Sequence, residues 1–418
     1  MSKTPYAVAD EPHEASHAES SGLEVKRLTF VEAVAMIVGT NIGAGVLSMA
    51  YASRKAGYMP LLFWLAVAGI FTTISMLYVS ETALRTRRHH QLSGLAQRYV
   101  GSFGAWAIFL SVAVNSIGAL VAYMSGSGKV LSEFFGISPA LGSLLFFLPA
   151  ALVLFLGLKA IGKGEKFISI GMLSMTLVLV IATLVNENTQ FANLLEGDWV
   201  YMIPVFNIAV FCFSAQYVVP EMARGFSHAP KRLPLAVITG MLITFILLAM
   251  VPMSVIALTG LENQSEVATL AWGQALGQWA FYTANTFALC AMMTSYWGLG
   301  GSFLTNIFDK FQSLGSESNP KTRLMVLAIV CVPPFILAYS GMVGFVSALY
   351  FAGVFSGVIL SIMPILMLRS ARKNGDIVPA WQCGWIAHPL IQVTVVVLYL
   401  LSMAYAICGA LGWLPASW

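Results

Sequence analysis

The chain alternates between long apolar stretches and short polar ones. A transmembrane helix needs about 20 predominantly apolar residues, and by this measure the pattern predicts about eleven such helices. Their approximate limits are 29–53, 58–84, 103–128, 139–158, 166–186, 200–222, 233–259, 276–308, 322–341, 344–368 and 386–413. The segments between them are polar or rich in turn formers, as in RTRRHHQLSG and GSESNPKTR. We therefore expect an all-α protein that crosses a membrane many times.

The composition agrees with a membrane protein. Of the 418 residues, 58% are hydrophobic and only 10% are charged, whereas soluble domains carry roughly 25% charged residues. The five cysteines are scattered singly, without the spacing of a metal or redox motif. Residues 1–25 are polar and mixed in charge, without the pattern of a signal peptide. We expect free thiols and a disordered cytoplasmic tail over residues 1–25.

The basic residues predict how the chain is oriented. With the N-terminus in the cytoplasm, nearly all of the 22 Lys and Arg fall in the inner segments. The exceptions are Arg54, Lys55 and Lys129. The outer loops carry acids instead, including Glu196 and Glu266. This asymmetry follows the positive-inside rule, so we predict an N-terminus inside, a C-terminus outside and a location in the bacterial inner membrane.

The titratable residues disfavour several functions. All six His lie in tails, in loops or at the end of a span, and the sequence contains no phosphate-binding Gly-rich loop. The inner loops are too short for a hydrolase domain. We expect neither an enzyme nor an ATP-driven pump, no cofactor and no nucleic-acid partner. The expected partners are a small-molecule substrate and the lipid bilayer, and the sequence does not indicate an oligomeric state.

The first predicted span contains VGTNIGAGVLSMA, with three glycines beside a Thr and an Asn near its middle. Gly weakens a helix, and in lipid an unpaired backbone group is tolerated only where it faces protein or a cavity. We therefore predict a break in this helix at a ligand site. The N–H groups of the outer half would favour a carboxylate, and the carbonyls of the inner half an ammonium group or a cation. The alternative is close helix packing, because GxxxG-like spacing also serves that purpose.

A second interruption is predicted in the sixth span, where polar residues 214–216 precede Pro220. Transporters built from inverted repeats have interrupted spans at corresponding positions of their two halves. We therefore predict a five-plus-five inverted repeat with broken first and sixth helices and one appended helix. The predicted parts are residues 26–186 and 187–370 for the two repeats, and 371–418 for a loop and the eleventh helix.

Three segments carry a family resemblance. VGTNIGAGVLSMAYASRKAGYMP contains a Gly-Thr-x-Ile-Gly-Ala-Gly run and a later Ala-Gly turn. VPEMARGFSHAPKRLPLAVITG combines Val-Pro with a basic loop, and MTSYWGLGGSFLTNIFDKF carries Thr-Ser, Gly and Phe-Asp. In these segments the chain resembles the hydroxy/aromatic amino acid permeases, an amino acid/auxin permease-like branch of the amino acid–polyamine–organocation superfamily. It departs from the family at Ser214-Ala215-Gln216, where such permeases often carry glycine.

The resemblance implies that the two breaks, backed by the third and eighth spans, contact the substrate. The implied substrate-binding residues are Thr40, Asn41, Gly43, Ala44, Gly45, Asn115, Tyr123, Phe213, Ser214, Gln216, Tyr296 and Trp297. No acid is placed to pair with a cationic side chain. The expected substrate is therefore a neutral amino acid, and an aromatic one by analogy with the family.

Ion coupling and gating are predicted at a few further positions. Thr294 and Ser295 resemble a hydroxyl pair that completes a sodium site with first-span carbonyls such as that of Gly39. Against sodium, hydroxyls in membrane helices often bond to their own backbone, and many relatives use protons, so Na⁺ and H⁺ both stay open. The residues assigned to gating or structural roles are Arg27, Glu81, Glu221 and Asp309. Glu81 would either reach the membrane interface or accept the free N–H groups of a broken helix.

These features together predict a secondary active transporter that imports a neutral amino acid by cation symport through alternating access. The alternatives are an amino acid exchanger, or a receptor or channel built on the same scaffold.

Overall fold

The computed structural model describes residues 27–156, 162–311 and 319–414; the predicted tail over residues 1–25 lies outside them. Within these ranges the regular secondary structure consists of helices, with no strand. The α-helices are α1 Phe30–Asn41, α2 Ala44–Ala52, α3 Tyr58–Leu84, α4 Leu92–Val100, α5 Ser102–Phe135, α6 Pro139–Leu156, α7 Gly162–Leu184, α8 Ile203–Cys212, α9 Val219–Gly225, α10 Arg232–Thr259, α11 Ala268–Leu276, α12 Gln278–Lys310, α13 Pro320–Tyr339, α14 Phe345–Asn374 and α15 Pro389–Ala410.

The prediction of an all-α membrane protein is confirmed. Among the described residues, eight helical segments are long and apolar enough to cross a membrane. One of them is the interrupted segment Ile203–Gly225, which contains α8 and α9, and the bent pair of α1 and α2 makes a ninth. Two further predicted spans correspond to α7 and to α12, which is long at 33 residues but more polar. The total of eleven spans and the inverted repeat stay predictions.

Local sequence accounts for where several helices begin. Thr29 caps α1, and its hydroxyl and Glu32 form a capping box. Pro389 stands at the start of α15, where a missing N–H is tolerated. Two short helices, α4 and α11, were not among the predicted spans, because at 9 residues each they are too short to cross a membrane.

The two helices of the first span differ in their surroundings. α2 packs against α8, α10, α11 and α12, whereas α1 packs mainly against α10. Accordingly, residues 46–50 of α2 are all at most 2% exposed, while Val31 of α1 is 74% exposed. The break therefore lies where the first span passes from a loosely packed half to an enclosed one.

Glu81 holds together one end of the bundle, which we call the basic end because Arg85, Arg224 and Arg372 lie there. Its fully buried carboxylate accepts hydrogen bonds from Arg85 and, through both oxygens, from Arg372 at 2.9 Å. It also accepts the backbone N–H of Cys383 at 2.7 Å. Glu81 thus joins α3, α14 and the loop before α15, and its assignment to a gating or structural role stays a prediction.

Candidate functional site

The first break is a two-residue interruption of the helix between α1 and α2, which we call the gap. α1 ends at Asn41, α2 begins at Ala44, and the two axes are bent by 46°. The last capping bond of α1 runs from the Ile42 N–H to the Val38 carbonyl at 2.8 Å, and no side chain caps the start of α2. Because the terminal backbone groups of a helix lack intrahelical partners, carbonyls of α1 and N–H groups of α2 are presented at the gap.

Gly43 lies at the centre of this gap, in close contact with two hydroxyl groups. A Cβ atom added to it would lie 2.6 Å from the Ser295 Oγ of α12 and 3.5 Å from the Tyr123 Oη of α5. A Cβ atom does not approach another atom more closely than about 3 Å, so this backbone position admits no side chain unless Ser295 moves. The structure thus brings together Gly43, Tyr123 and Ser295, which sequence reasoning had placed on three separate spans.

Gly45 brings the sixth span to the same site. A Cβ atom on Gly45 would clash with the Cys212 thiol, and it would lie 3.6 Å from the Phe211 ring. Both residues are at the end of α8, directly before the second interruption. Cys212 was missed by the sequence analysis, although its position beside the predicted break could have indicated it.

The second interruption is closed by its own hydrogen bonds. α8 ends at Cys212, residues 213–215 are not helical, and a 3₁₀ turn over Gln216–Val218 leads into α9. The N–H groups of Phe213 and Ser214 bond to the carbonyls of Val210 and Phe211 at 3.2 Å, and the Ser214 hydroxyl bonds to the Val210 carbonyl at 2.8 Å. The sixth span is therefore interrupted as predicted, one residue earlier than residues 214–216, but its backbone is largely satisfied internally.

Several other predicted substrate contacts point elsewhere. The Asn115 amide oxygen accepts the Ser356 hydroxyl of α14 at 3.1 Å. Tyr296 packs edge-on against Phe146 of α6 with ring centroids 5.8 Å apart. The Phe213 ring lies against Gly69 of α3. These three side chains contact scaffold helices, and their assignment to the substrate stays a prediction.

Polar atoms near the breaks keep unused hydrogen-bonding capacity. The Asn41 amide nitrogen lies 3.5 Å from the Met241 sulfur, and its oxygen is buried without a partner among the described residues. The same holds for the Gln216 amide oxygen and the Trp297 indole nitrogen within the described part of the chain. Thr40 is half-buried, and the side chain of Ala44 lies outside the described residues.

Of the three residues predicted to couple an ion, Ser295 lies beside Gly43, and the ion site stays a prediction. The Thr294 hydroxyl is 3.1 Å from the carbonyls of Cys290 and Ala291 in its own helix. Such a bond uses the hydroxyl proton and leaves oxygen lone pairs available. Gly39 is exposed, with open space beside its Cα atom.

The predicted gating residues are not assembled into one site. Arg27 is exposed just before α1, and the next residue, Leu28, donates its N–H to the Gly225 carbonyl at the end of α9 at 3.2 Å. Glu221 is exposed and 3.8 Å from Arg224. The side chain of Asp309 lies outside the described residues, so its predicted pairing with Arg27 stays a prediction.

The comparisons with known proteins decide the family. The model of the tryptophan/tyrosine permease family matches residues 26–404. The chain belongs to this family. Its sequence resemblance to aromatic amino acid permeases is thereby confirmed, and so is the expectation of a transporter rather than an enzyme; the wider superfamily stays a prediction.

Individual members of the tryptophan/tyrosine permease family match along most of their length. The chain is 23% identical to the tyrosine-specific transport system 2 of Haemophilus influenzae, over 85% of this chain and 91% of that protein. It is 25% identical to a tryptophan-specific transport protein of Pseudomonas aeruginosa, over 91% of this chain and 94% of that protein. It is 23% identical to a tryptophan-specific transport protein of Shigella flexneri, over 82% of this chain and 86% of that protein.

Proposed function

We propose that this permease is a secondary active transporter that imports tryptophan or tyrosine together with a cation, H⁺ or Na⁺, through alternating access. The relatives named above are tryptophan- and tyrosine-specific. The observation that carries the proposal is the helix break at Gly43, where the hydroxyls of Tyr123 and Ser295 lie close to the backbone.

This geometry suits the two charged groups of an amino acid. The substrate carboxylate would bind the N–H groups that begin α2, where the helix dipole favours negative charge, and the Tyr123 and Ser295 hydroxyls would donate to it. The ammonium group would bind the free carbonyls that end α1. The side chains against the gap, those of Tyr123, Ser295, Cys212 and Phe211, are uncharged. A neutral and partly apolar substrate side chain is therefore favoured.

The unequal packing of the two ends supports alternating access. At the end opposite the basic end, Lys129 pairs with Glu266 at 2.7 Å, and the Asp198 N–H bonds to the Lys55 carbonyl at 3.1 Å. These contacts hold α5 and the loops around α2 together. Around α1, by contrast, residues such as Val31 and Gly39 are exposed. We propose that the substrate reaches the gap from the basic end, which the charge pattern predicts to be cytoplasmic.

Uptake by the purified protein in proteoliposomes tests the proposal. Labelled tryptophan, tyrosine, leucine and lysine would be supplied outside, with an inward gradient of Na⁺ or of H⁺ imposed separately. We expect tryptophan or tyrosine to accumulate above its external concentration with one of the two gradients, and lysine to be excluded. Accumulation with Na⁺ alone would support the predicted sodium site at Gly39, Thr294 and Ser295.

The alternatives give different results in the same vesicles. An exchanger would take up label only when unlabelled amino acid is loaded inside, and a channel would equilibrate it without accumulation. A receptor would bind tryptophan without moving it. Any of these outcomes with both gradients would overturn cation symport.

A charge exchange tests the predicted gate between Asp309 and Arg27. Asp309→Arg should impair uptake, because two cations would then face each other, and Arg27→Asp in the same chain should restore part of it. Initial uptake rates in proteoliposomes measure the effect. A double variant that is no more active than Asp309→Arg would remove the pairing.

A further inference from the structure

The basic end contains a cavity that the transport proposal does not use. Its volume is about 320 Å³, and its lining includes Arg87, Arg88, His89 and His90, with apolar side chains such as Leu95 and Pro220. We call it the basic cavity. A shallower, more open neighbour of about 300 Å³ is lined by Arg87, Arg88, Arg98 and Asp376. The size lies at the lower limit for small-molecule sites, which suits a headgroup rather than a large ligand.

The walls of the basic cavity come from three separate parts of the chain. One wall is the end of α3 and the loop that follows it, and a second is α9 with the loop to α10. The third wall is the loop between α14 and α15, at residues 377–380. An occupant would therefore touch the inner half of the sixth span and the scaffold helices at the same time.

The charge of the basic cavity is positive and largely uncompensated. Asp376, the acid beside it, already accepts the Arg98 guanidinium at 2.5 Å and the backbone N–H of Arg87 at 2.9 Å. Among the described residues, no carboxylate lies within salt-bridge distance of the Arg87 or Arg88 guanidinium. Guanidinium groups bind phosphate through paired, charge-assisted hydrogen bonds. The cavity is thus suited to a phosphate group.

The two histidines add neutral hydrogen-bonding groups to this site. Burial lowers the pKa of His89, and Arg224 lowers it further. Burial lowers the pKa of His90 as well; Arg98 and Arg88 act in the same direction, and Asp376 opposes them. The lowered pKa favours the neutral form of both rings, in which each can donate one hydrogen bond and accept another. In this form the two histidines offer a phosphate or a hydroxyl group further hydrogen bonds and add no positive charge to that of the arginines.

The apolar surroundings favour a lipid over a soluble anion. Leu84, Ala223 and Ile377 share the cavity with the arginines, and Val378 beside them is 88% exposed. A hydrated phosphate ion gains nothing from these apolar surfaces, whereas a phospholipid offers its glycerol and the first acyl carbons to them. Basic pockets at the cytoplasmic ends of transmembrane helices commonly bind acidic headgroups.

We propose that the basic cavity binds the headgroup of an anionic phospholipid, held by Arg87 and Arg88. The bound lipid bridges α9 and the end of α3. The content of anionic lipid in the membrane therefore sets how firmly the inner half of the sixth span is held against the scaffold.

The test uses the full-length protein in nanodiscs of phosphatidylcholine with or without phosphatidylglycerol. Thermal unfolding, followed by tryptophan fluorescence, and the lipid retained in native mass spectrometry are measured for the wild type and for the double variant R87Q/R88Q. The matched control is K321Q/K373Q, which removes two exposed charges from the same end outside the cavity. We expect phosphatidylglycerol to raise the unfolding temperature of the wild type and of the control, and the arginine variant to retain it about tenfold less.

Three outcomes would overturn the proposal. Equal retention of phosphatidylglycerol by R87Q/R88Q and the wild type would remove the site, and equal losses in both double variants would show only a general attraction to the charged surface. A third arm adds inorganic phosphate to phosphatidylcholine nanodiscs. Stabilisation there as large as with phosphatidylglycerol would assign the cavity to a soluble anion. The unfolding temperature of each variant in phosphatidylcholine alone serves as the check that it is folded.

Discussion

The first and sixth spans are both interrupted, but in opposite ways. The first is broken at glycines, bends by 46° and has no side-chain cap where α2 begins. The sixth has no glycine at its interruption, and tight turns from Phe213 to Val218 satisfy most of its free backbone groups. Two interruptions in one chain can thus differ in whether they leave backbone groups available to a ligand.

This difference leads us to expect different roles for the first and the sixth interruption. Carbonyl and N–H groups left free in a membrane span are costly unless something binds them, so the first break is where a zwitterion gains the most. The sixth interruption needs no ligand to be stable. It supplies Cys212 and Phe211, which pack against Gly45.

The largest expected effect comes from filling the first break. Gly43→Ala places a methyl group 2.6 Å from the Ser295 hydroxyl, which forces Ser295 or the backbone out of position. Because misplacement by about 1 Å at a binding site can cost about 100-fold, we expect kcat/KM for uptake of the aromatic substrate to fall by about that factor. Initial uptake rates in proteoliposomes measure it.

The matched control for this substitution is Gly298→Ala in α12. Nothing lies within 4 Å of an added Cβ atom there, so uptake should stay near that of the wild type. Wild-type uptake by Gly43→Ala would show that the gap is not the substrate site.

A smaller effect is expected from removing one hydroxyl at the first break. Tyr123→Phe keeps the buried ring but deletes the Oη atom near Gly43. A hydrogen bond to a charged group contributes about 1.5–3 kcal/mol, so KM should rise roughly tenfold or more. The control is Tyr282→Phe, at a residue 53% exposed near the start of α12. An unchanged KM in Tyr123→Phe would remove this hydroxyl from the carboxylate site.

The span limits were predictable because they follow from local composition. The predicted limits 58–84 and 233–259 correspond to Tyr58–Leu84 and Arg232–Thr259. The first break was predictable for the same reason, since Gly39, Gly43 and Gly45 weaken the helix wherever it packs. The short helices α4 and α11 were not predicted, because a search for apolar stretches of about 20 residues does not detect helices of 9 residues.

The direction in which a side chain points was much harder to predict. On a helix, a residue's direction depends on the rotation of that helix against its neighbours, which single-sequence periodicity does not fix in a bundle that is apolar on most sides. Adjacent side chains thus point in different directions: Ser295 approaches Gly43, while Tyr296 contacts Phe146 of α6. Likewise Asn115 and Tyr123 share α5, but only Tyr123 reaches the gap. Two partners of Glu81, Arg372 and Cys383, lie about 300 residues away along the chain, so sequence spacing could not indicate them.

The smallest effect is expected at the sixth span. Ser214→Ala removes a hydroxyl whose bond, 2.8 Å to the Val210 carbonyl, stays within its own span. Such a bond contributes about 1 kcal/mol to stability, so the unfolding temperature should fall slightly while KM stays within about twofold of the wild type. Uptake kinetics and thermal unfolding in detergent measure the two quantities. If KM instead rises as much as in Tyr123→Phe, the Ser214 hydroxyl gives up its bond to the Val210 carbonyl and binds the substrate. Both breaks would then contribute polar contacts to the substrate site.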